Sequence, residues 1–215
     1  MQLENDLAAY YARRAAEYER IYAKPERQQE LAALRVVLAQ EFAGRNVLEV
    51  ACGTGYWTAI IASVARQVHA CDYNAEVLAL AQAKTPPRTA FFRADAYALP
   101  VLPEPFDAAL AAFWLSHVPK SRVPEFLAHF HSRLGPGARV VLVDNVYAEG
   151  SSTPLSRCDE EGNTYQLRQL EDGSSHEVLK NFPNSDELDF VLREGGAREL
   201  QLNFGRYFWR ASYLV

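Results

Sequence analysis

The segment VLEVACGTGYWT, residues 47–58, sets a carboxylate inside an apolar run and follows it with two glycines separated by one threonine. Glycines let backbone N–H groups approach a ligand and permit the tight reversal from a strand into a helix. A dinucleotide-binding turn works the same way, but it takes a third glycine where Thr58 stands. A carboxylate beside such a turn repels a diphosphate and attracts an ammonium or a sulfonium. Glu49, Gly53 and Gly55 therefore point to a ligand that carries positive charge. Other groups with chemical capacity follow in chain order: Asp72 in HACDYN, Asp95 in FRADAYALP and His117 in WLSHVP.

Positioning these residues takes alternating strands and helices. Apolar runs of strand length at Val47–Val50, Val68–Cys71, Ala90–Arg93, Ala108–Phe113 and Arg139–Val143 are separated by helical stretches from Trp57, over Ala75–Lys84 and over Val123–Leu134. Continuous apolarity marks strands covered by helices on both faces, and the order marks a doubly wound α/β sheet. Ligands bind such sheets beyond the carboxyl ends of the strands, where strand order reverses. The turn LGPGAR reads as the stop of the helix before it. Residues 145–184 concentrate turn chemistry around TYQLRQL and HEVLKNF, the two arms of an inserted hairpin on the carboxyl edge of the sheet. SDELDFVLREGG reads as a helix with a serine cap, and the last nineteen residues, ARELQLNFGRYFWRASYLV, as two antiparallel strands.

With 215 residues, 49% of them hydrophobic, the chain has enough apolar side chains for one core. The expected organisation is a single domain: a helical lid over 1–45, a ligand-binding core over 46–144, the insertion over 145–185, and a closing helix and strands over 186–215. A net charge of −5 without any Lys/Arg run argues against nucleic acid as a partner. No apolar run reaches the ~18 residues a spanning helix needs, and the N-terminus lacks the apolar core of a signal peptide, so a cytoplasmic protein without a membrane partner is expected. Cys52, Cys71 and Cys158 lack metal-ligand spacing and read as reduced, buried thiols; no metal is expected.

Taken together, Glu49, Gly53, Gly55, Asp72, Asp95, FDAALAAFWLSHVP and LGPGARVVLVDN resemble, in order and spacing, the class I S-adenosylmethionine-dependent methyltransferases of the small-molecule branch. Their first motif is D/E-x-G-x-G-x-G, and Ala51 stands in place of its first glycine. The resemblance implies a Rossmann-like sheet of seven strands, mainly parallel with an antiparallel last strand, N-terminal lid helices and an inserted β-hairpin. It implies S-adenosylmethionine as cofactor and S-adenosylhomocysteine as product. The cofactor contacts it implies are the turn residues Glu49, Ala51, Gly53, Gly55 and Trp57. Asp72 would hold the ribose hydroxyls with Tyr73 beside it, Asp95 and Ala96 would face the adenine, and Phe113 would border the methyl donor.

Tyr11, Tyr18 and Tyr22 are spaced by seven and four and share a helix face with Ala15. That stripe is either ordinary core or a lid, with Tyr11 and Tyr18 over the cofactor and Tyr22 over the acceptor. His117 is the candidate base or orienter in the acceptor loop, or packs on the cofactor. His129 and His131, two apart on one helix, read as surface residues. In the insertion, an even register sum places Arg168 and Lys180 on one face, with His176 nearby, as a grip for a small anionic acceptor. An already charged oxygen needs no base, whereas a neutral amine or hydroxyl would use His117. The rival readings are a non-catalytic S-adenosylmethionine-binding protein, a macromolecule methyltransferase and a nicotinamide dehydrogenase. The hairpin either covers its own pocket or joins a homodimer.

Overall fold

The computed structural model describes residues 18–102 and 105–215. Its main sheet has seven strands in the order β3-β2-β1-β4-β5-β10-β9. These are β1 (Asn46–Val50), β2 (Gln67–Asp72), β3 (Thr89–Arg93), β4 (Phe106–Ala112), β5 (Leu134–Asn145), β9 (Arg198–Phe204) and β10 (Phe208–Leu214). The first five are mutually parallel, with Val47 opposite both Val68 and Ala108, and β10 runs antiparallel to both of its neighbours. This is the doubly wound sheet expected from the sequence.

Strand alternation divides the core. Val47 and Ala108 join a cluster with Leu31 and Leu38 of α1 (Gln28–Phe42), Ile61 of α2 (Tyr56–Ala62) and Leu78 of α3 (Ala75–Lys84). Leu48 and Ala109 face the other way, onto Phe126 and Phe130 of α4 (Val123–His131) and Leu188 and Leu192 of α5 (Ser185–Glu194). A strand covered on both faces carries no polar face, which is why β1, β4 and β5 read as largely apolar runs, with Glu49 the buried exception in β1.

Several local expectations are corrected. Helix α4 ends at His131, and LGPGAR belongs to the entry of β5: Leu134 pairs with Phe106 and Arg139 with Ala108, so the intervening residues bulge from the ladder. The cap of α5 is Asn184, whose side chain accepts from the Glu187 amide at 3.0 Å while Glu187 accepts from the Asn184 amide at 2.9 Å; Ser185 is the first helical residue. His131 is no surface residue: its ring bridges the Gly195 carbonyl at 3.0 Å and the Tyr213 hydroxyl at 2.9 Å. Cys52 and Cys71 are buried as expected, but Cys158 is exposed.

The insertion forms a separate three-stranded sheet, β6 (Arg157–Cys158), β7 (Thr164–Gln169) and β8 (Ser175–Leu179), one strand more than a hairpin. Tyr22 belongs to a 3₁₀ segment over Tyr18–Ala23 rather than to an α-helix. Tyr11 lies outside the described residues, as does the side chain of Tyr18. Among the described residues no helix is long and apolar enough to cross a membrane, and no group of three His, Cys, Asp or Glu could hold a metal ion.

Candidate active site

The strand order reverses between β1 and β4, and the turn at 51–55 leaves β1 there. Three residues of this turn hold left-handed backbone: Ala51 at φ 52°, Gly53 at 55° and Gly55 at 80°. A Cβ on Gly55 would stand 2.8 Å from the Cβ of Ala81, so this glycine brings α3 against the turn. Gly53 donates its amide to Asp72 Oδ2 at 2.9 Å, joining the turn to the end of β2. The other Asp72 oxygen accepts from the Asn74 amide at 2.9 Å. Burial raises the Asp72 carboxyl above its ordinary range, against the pull of these amides.

Glu49 is 1% exposed, and its Oε2 has no hydrogen-bond partner. Burial pushes the Glu49 carboxyl up to about 8, against the pull of the neighbouring Thr58 hydroxyl. Ionising it there is costly, and a cationic ligand donor at Oε2 would offset that cost. The residues therefore fit an amino-acid-bearing sulfonium cofactor: Glu49 toward its positive groups and Asp72 toward hydroxyls.

Beyond β3, Asp95 is exposed, and its Oδ1 accepts from the Tyr97 amide at 2.9 Å, closing a turn around the buried Ala96. Tyr73 is exposed, with the Arg93 guanidinium 5.3 Å over its ring. Phe113 follows β4 at φ 60°, a strained conformation for an aromatic residue, with its amide on the Val143 carbonyl. Its ring stacks near Trp57 at 5.9 Å and meets Tyr22 at 5.9 Å and Phe208 at 5.6 Å. Tyr22 in turn stacks on Tyr56 at 3.9 Å and accepts from the Trp57 indole at 3.2 Å. Tyr22 is thus core, as one of its two readings has it, packed against the first residues of α2 and the Phe113 ring.

The strap that carries Tyr22 is tied down at both ends. Glu19 accepts from the Thr54 hydroxyl at 2.9 Å and pairs with Lys84. Arg27 donates to the Ser151 hydroxyl at 2.9 Å.

The inserted sheet meets the body at a buried ion pair. Lys180 Nζ lies 2.8 Å from Asp144 Oδ1 and 2.6 Å from the Ser116 hydroxyl, with the lysine 4% and the aspartate 0% exposed. Asp144 Oδ2 accepts from the Ser116 amide at 3.0 Å. His117 is buried, its Nδ1 2.7 Å from the Leu179 carbonyl. A carbonyl only accepts, so Nδ1 carries the proton. Arg168 lies opposite His176 in the β7–β8 ladder, and this even register puts Arg168, His176 and Lys180 on one face. Arg168 donates to Gln166 Oε1 at 2.7 Å. The structure therefore brings His117 and Lys180 together, while Arg168 and His176 lie farther out along the same face.

Sequence reasoning passed over Asp144 and Ser116. Asp144 follows an apolar strand run, VVLV, as Asp72 does its own, and that signal could have found it. Ser116 carries no signal of its own.

Residues 47–137 match the methyltransferase domain family. A probable S-adenosylmethionine-dependent methyltransferase of Mycolicibacterium smegmatis is 30% identical over 174 residues, covering 78% of this chain and 63% of its own. An uncharacterized methyltransferase of Geobacillus kaustophilus is 28% identical over 107 residues, 50% of each chain. The chain thus spans about half to two-thirds of the length of these curated relatives. The complex of DhpI with SAM and HEP superposes with a TM-score of 0.82 at 29% identity, covering 98% of this chain and 96% of that one. A DhpI–SAH complex gives 0.80 at the same identity. Residues 47–137 thus form a methyltransferase domain, and the relatives and superposed complexes support a class I enzyme with S-adenosylmethionine as its cofactor.

Proposed function

We propose that this protein transfers the methyl group of S-adenosylmethionine to an oxygen of a small anionic acceptor, a carboxylate, phosphate or phosphonate. The observation that carries the anionic reading is the register of β7 and β8, which sets Arg168 and His176 on the face that leads to Lys180. A guanidinium grips two oxygens of a phosphate or phosphonate at once and leaves a third oriented for attack, and it holds a carboxylate through one oxygen while the other attacks. The DhpI complex holding SAM and HEP together supports a site for two ligands in this architecture.

When bound, the cofactor supplies an electrophilic methyl on a sulfonium. The protein's part is to hold two partners in line and exclude water. Glu49 and the 51–55 turn bind the donor, Asp72 fixes its hydroxyls, and Asp95 with Ala96 borders its base. Tyr22 and Phe113 shield the space between donor and acceptor. The cap presents Arg168 to the acceptor's charge, and because the attacking oxygen is already negative no proton is removed.

A second reading rests on His117. With Nδ1 protonated toward Leu179, a neutral ring has its lone pair on Nε2, the form a general base needs for a neutral hydroxyl or amine.

The test combines S-adenosylhomocysteine formation across small acids, phenols and amines with the variants Arg168→Ala and His117→Asn. On the anionic reading Arg168→Ala raises the acceptor KM by about tenfold or more at unchanged cofactor KM, the size expected for a lost charge-assisted pair. Turnover of a neutral acceptor that collapses in His117→Asn and persists in Arg168→Ala would instead establish the base mechanism. A protein that binds S-adenosylmethionine and methylates nothing would be a sensor.

A further inference from the structure

The loop after β3 is gripped from one side by α4. The Leu99 amide donates to His129 Nε2 at 2.7 Å. One turn and two turns earlier on the same helix face, Phe126 packs edge-on to Tyr97 at 6.2 Å and the Arg122 guanidinium lies 3.7 Å over the Tyr97 ring. Spacings of four and three put these residues in one stripe of the helix. The turn also bonds within itself, Tyr97 amide to Asp95 Oδ1 and Ala98 amide to the Asp95 carbonyl at 2.9 Å, and Tyr97 meets the Trp114 ring at 6.1 Å. His129 thus supplies the α4 hydrogen bond to a short turn whose other end carries Asp95 and Ala96.

We infer that His129 is a positioning residue for cofactor binding: its neutral imidazole, accepting from Leu99, holds the 95–99 turn in the shape that presents Asp95 and Ala96 to the donor's base. The inference rests on reading that turn as the adenine side of the site. An amide N–H is a fixed donor, so the ring must offer a lone pair, and a protonated imidazole has none.

The experiment is calorimetric titration of S-adenosylhomocysteine into wild type, His129→Leu and His129→Gln, with melting curves of each unliganded protein. His129→Leu leaves a backbone donor unpaired and is expected to weaken binding about tenfold. His129→Gln places an amide oxygen where Nε2 was, so it retains wild-type affinity. Equal affinities of His129→Leu and wild type, both folded, would overturn the inference, as would a His129→Gln protein that binds as weakly as His129→Leu. If His129→Leu does not fold, His129→Gln decides alone, and an about tenfold loss of affinity in it overturns the inference. Wild type that fails to bind S-adenosylhomocysteine at all would overturn the cofactor reading itself.

Discussion

Glu49 sits where its chemistry is most constrained: 1% exposed, one oxygen without a donor, and held up to about 8 by burial. Between pH 4.5 and 8 the folded protein keeps a proton on Glu49 that the unfolded chain has already released. The folded state therefore binds more protons, and stability falls as pH rises through this window, by an amount on the order of 5 kcal/mol in all. Glu49→Gln removes that slope, so unfolding free energies from urea titrations at pH 5 and 8.5 should differ less in the variant than in wild type. A cationic ligand reverses the preference by favouring the carboxylate. Cofactor binding at pH 7 should then release a proton, read as a dependence of the calorimetric enthalpy on buffer ionisation enthalpy. Equal enthalpies in phosphate and Tris would show that Glu49 does not meet the ligand's charge. The same scale holds a residue that departs from its family's pattern: Ala51 accepts φ 52° where glycine has no steric penalty, so the turn keeps its shape at some cost in strain.

Among the elements, the inserted sheet is joined to the carboxyl ends of β4 and β5 by Lys180, Asp144 and Ser116. Asn181 extends the junction, donating its amide to the Ser116 carbonyl at 2.8 Å and its side chain to the Val118 carbonyl at 3.1 Å. Asp144 is wholly buried, and deleting its cation leaves a charge with nothing to offset it. Lys180→Met should therefore destabilise the protein by about 3–5 kcal/mol, whereas Lys180→Met with Asp144→Leu should recover most of that loss. Denaturant midpoints of the two variants check this, and a double variant no better than the single one would show that the pair's polarity, not its charge balance, holds the cap. The same geometry bears on the acceptor grip. Lys180's charge is matched by Asp144, so of the two cations read from the sequence it is not the one left to set the charge of the acceptor grip.

At the scale of the molecule, the donor site proposed above would join pieces distant in the chain: the turn after β1, the end of β2 and the loops after β3 and β4. A ligand that binds only this assembled form stabilises it by mass action, about 2.7 kcal/mol at a concentration one hundred times its dissociation constant. For a chain of this size that is a rise in melting temperature of about 5–10 °C. S-adenosylhomocysteine should produce this shift in wild type and much less of it in Asp72→Ala, where the Gly53 amide loses its acceptor. Identical shifts in both proteins would remove Asp72 from the donor site.

The sequence by itself determined the parallel core and the turn at which a donor site is proposed. Largely apolar strands, glycines at a strand end and acids at two further strand ends are local patterns, and the forces behind them, burial and backbone conformation, act between near neighbours in the chain. Helix α3 was legible to the residue and β1 to within one. Only the tertiary structure decided how distant polar groups are matched. Lys180 read as a free cation because Asp144, thirty-six residues away, is invisible to periodicity. His129 and His131 read as surface residues because helical spacing sets directions around an axis, not what lies there. The cap's even register emerged from chain length and turn together, and with it the alignment of Arg168, His176 and Lys180. Hydrogen bonds and ion pairs are short-ranged and directional, so their partners are fixed only when the whole chain has packed.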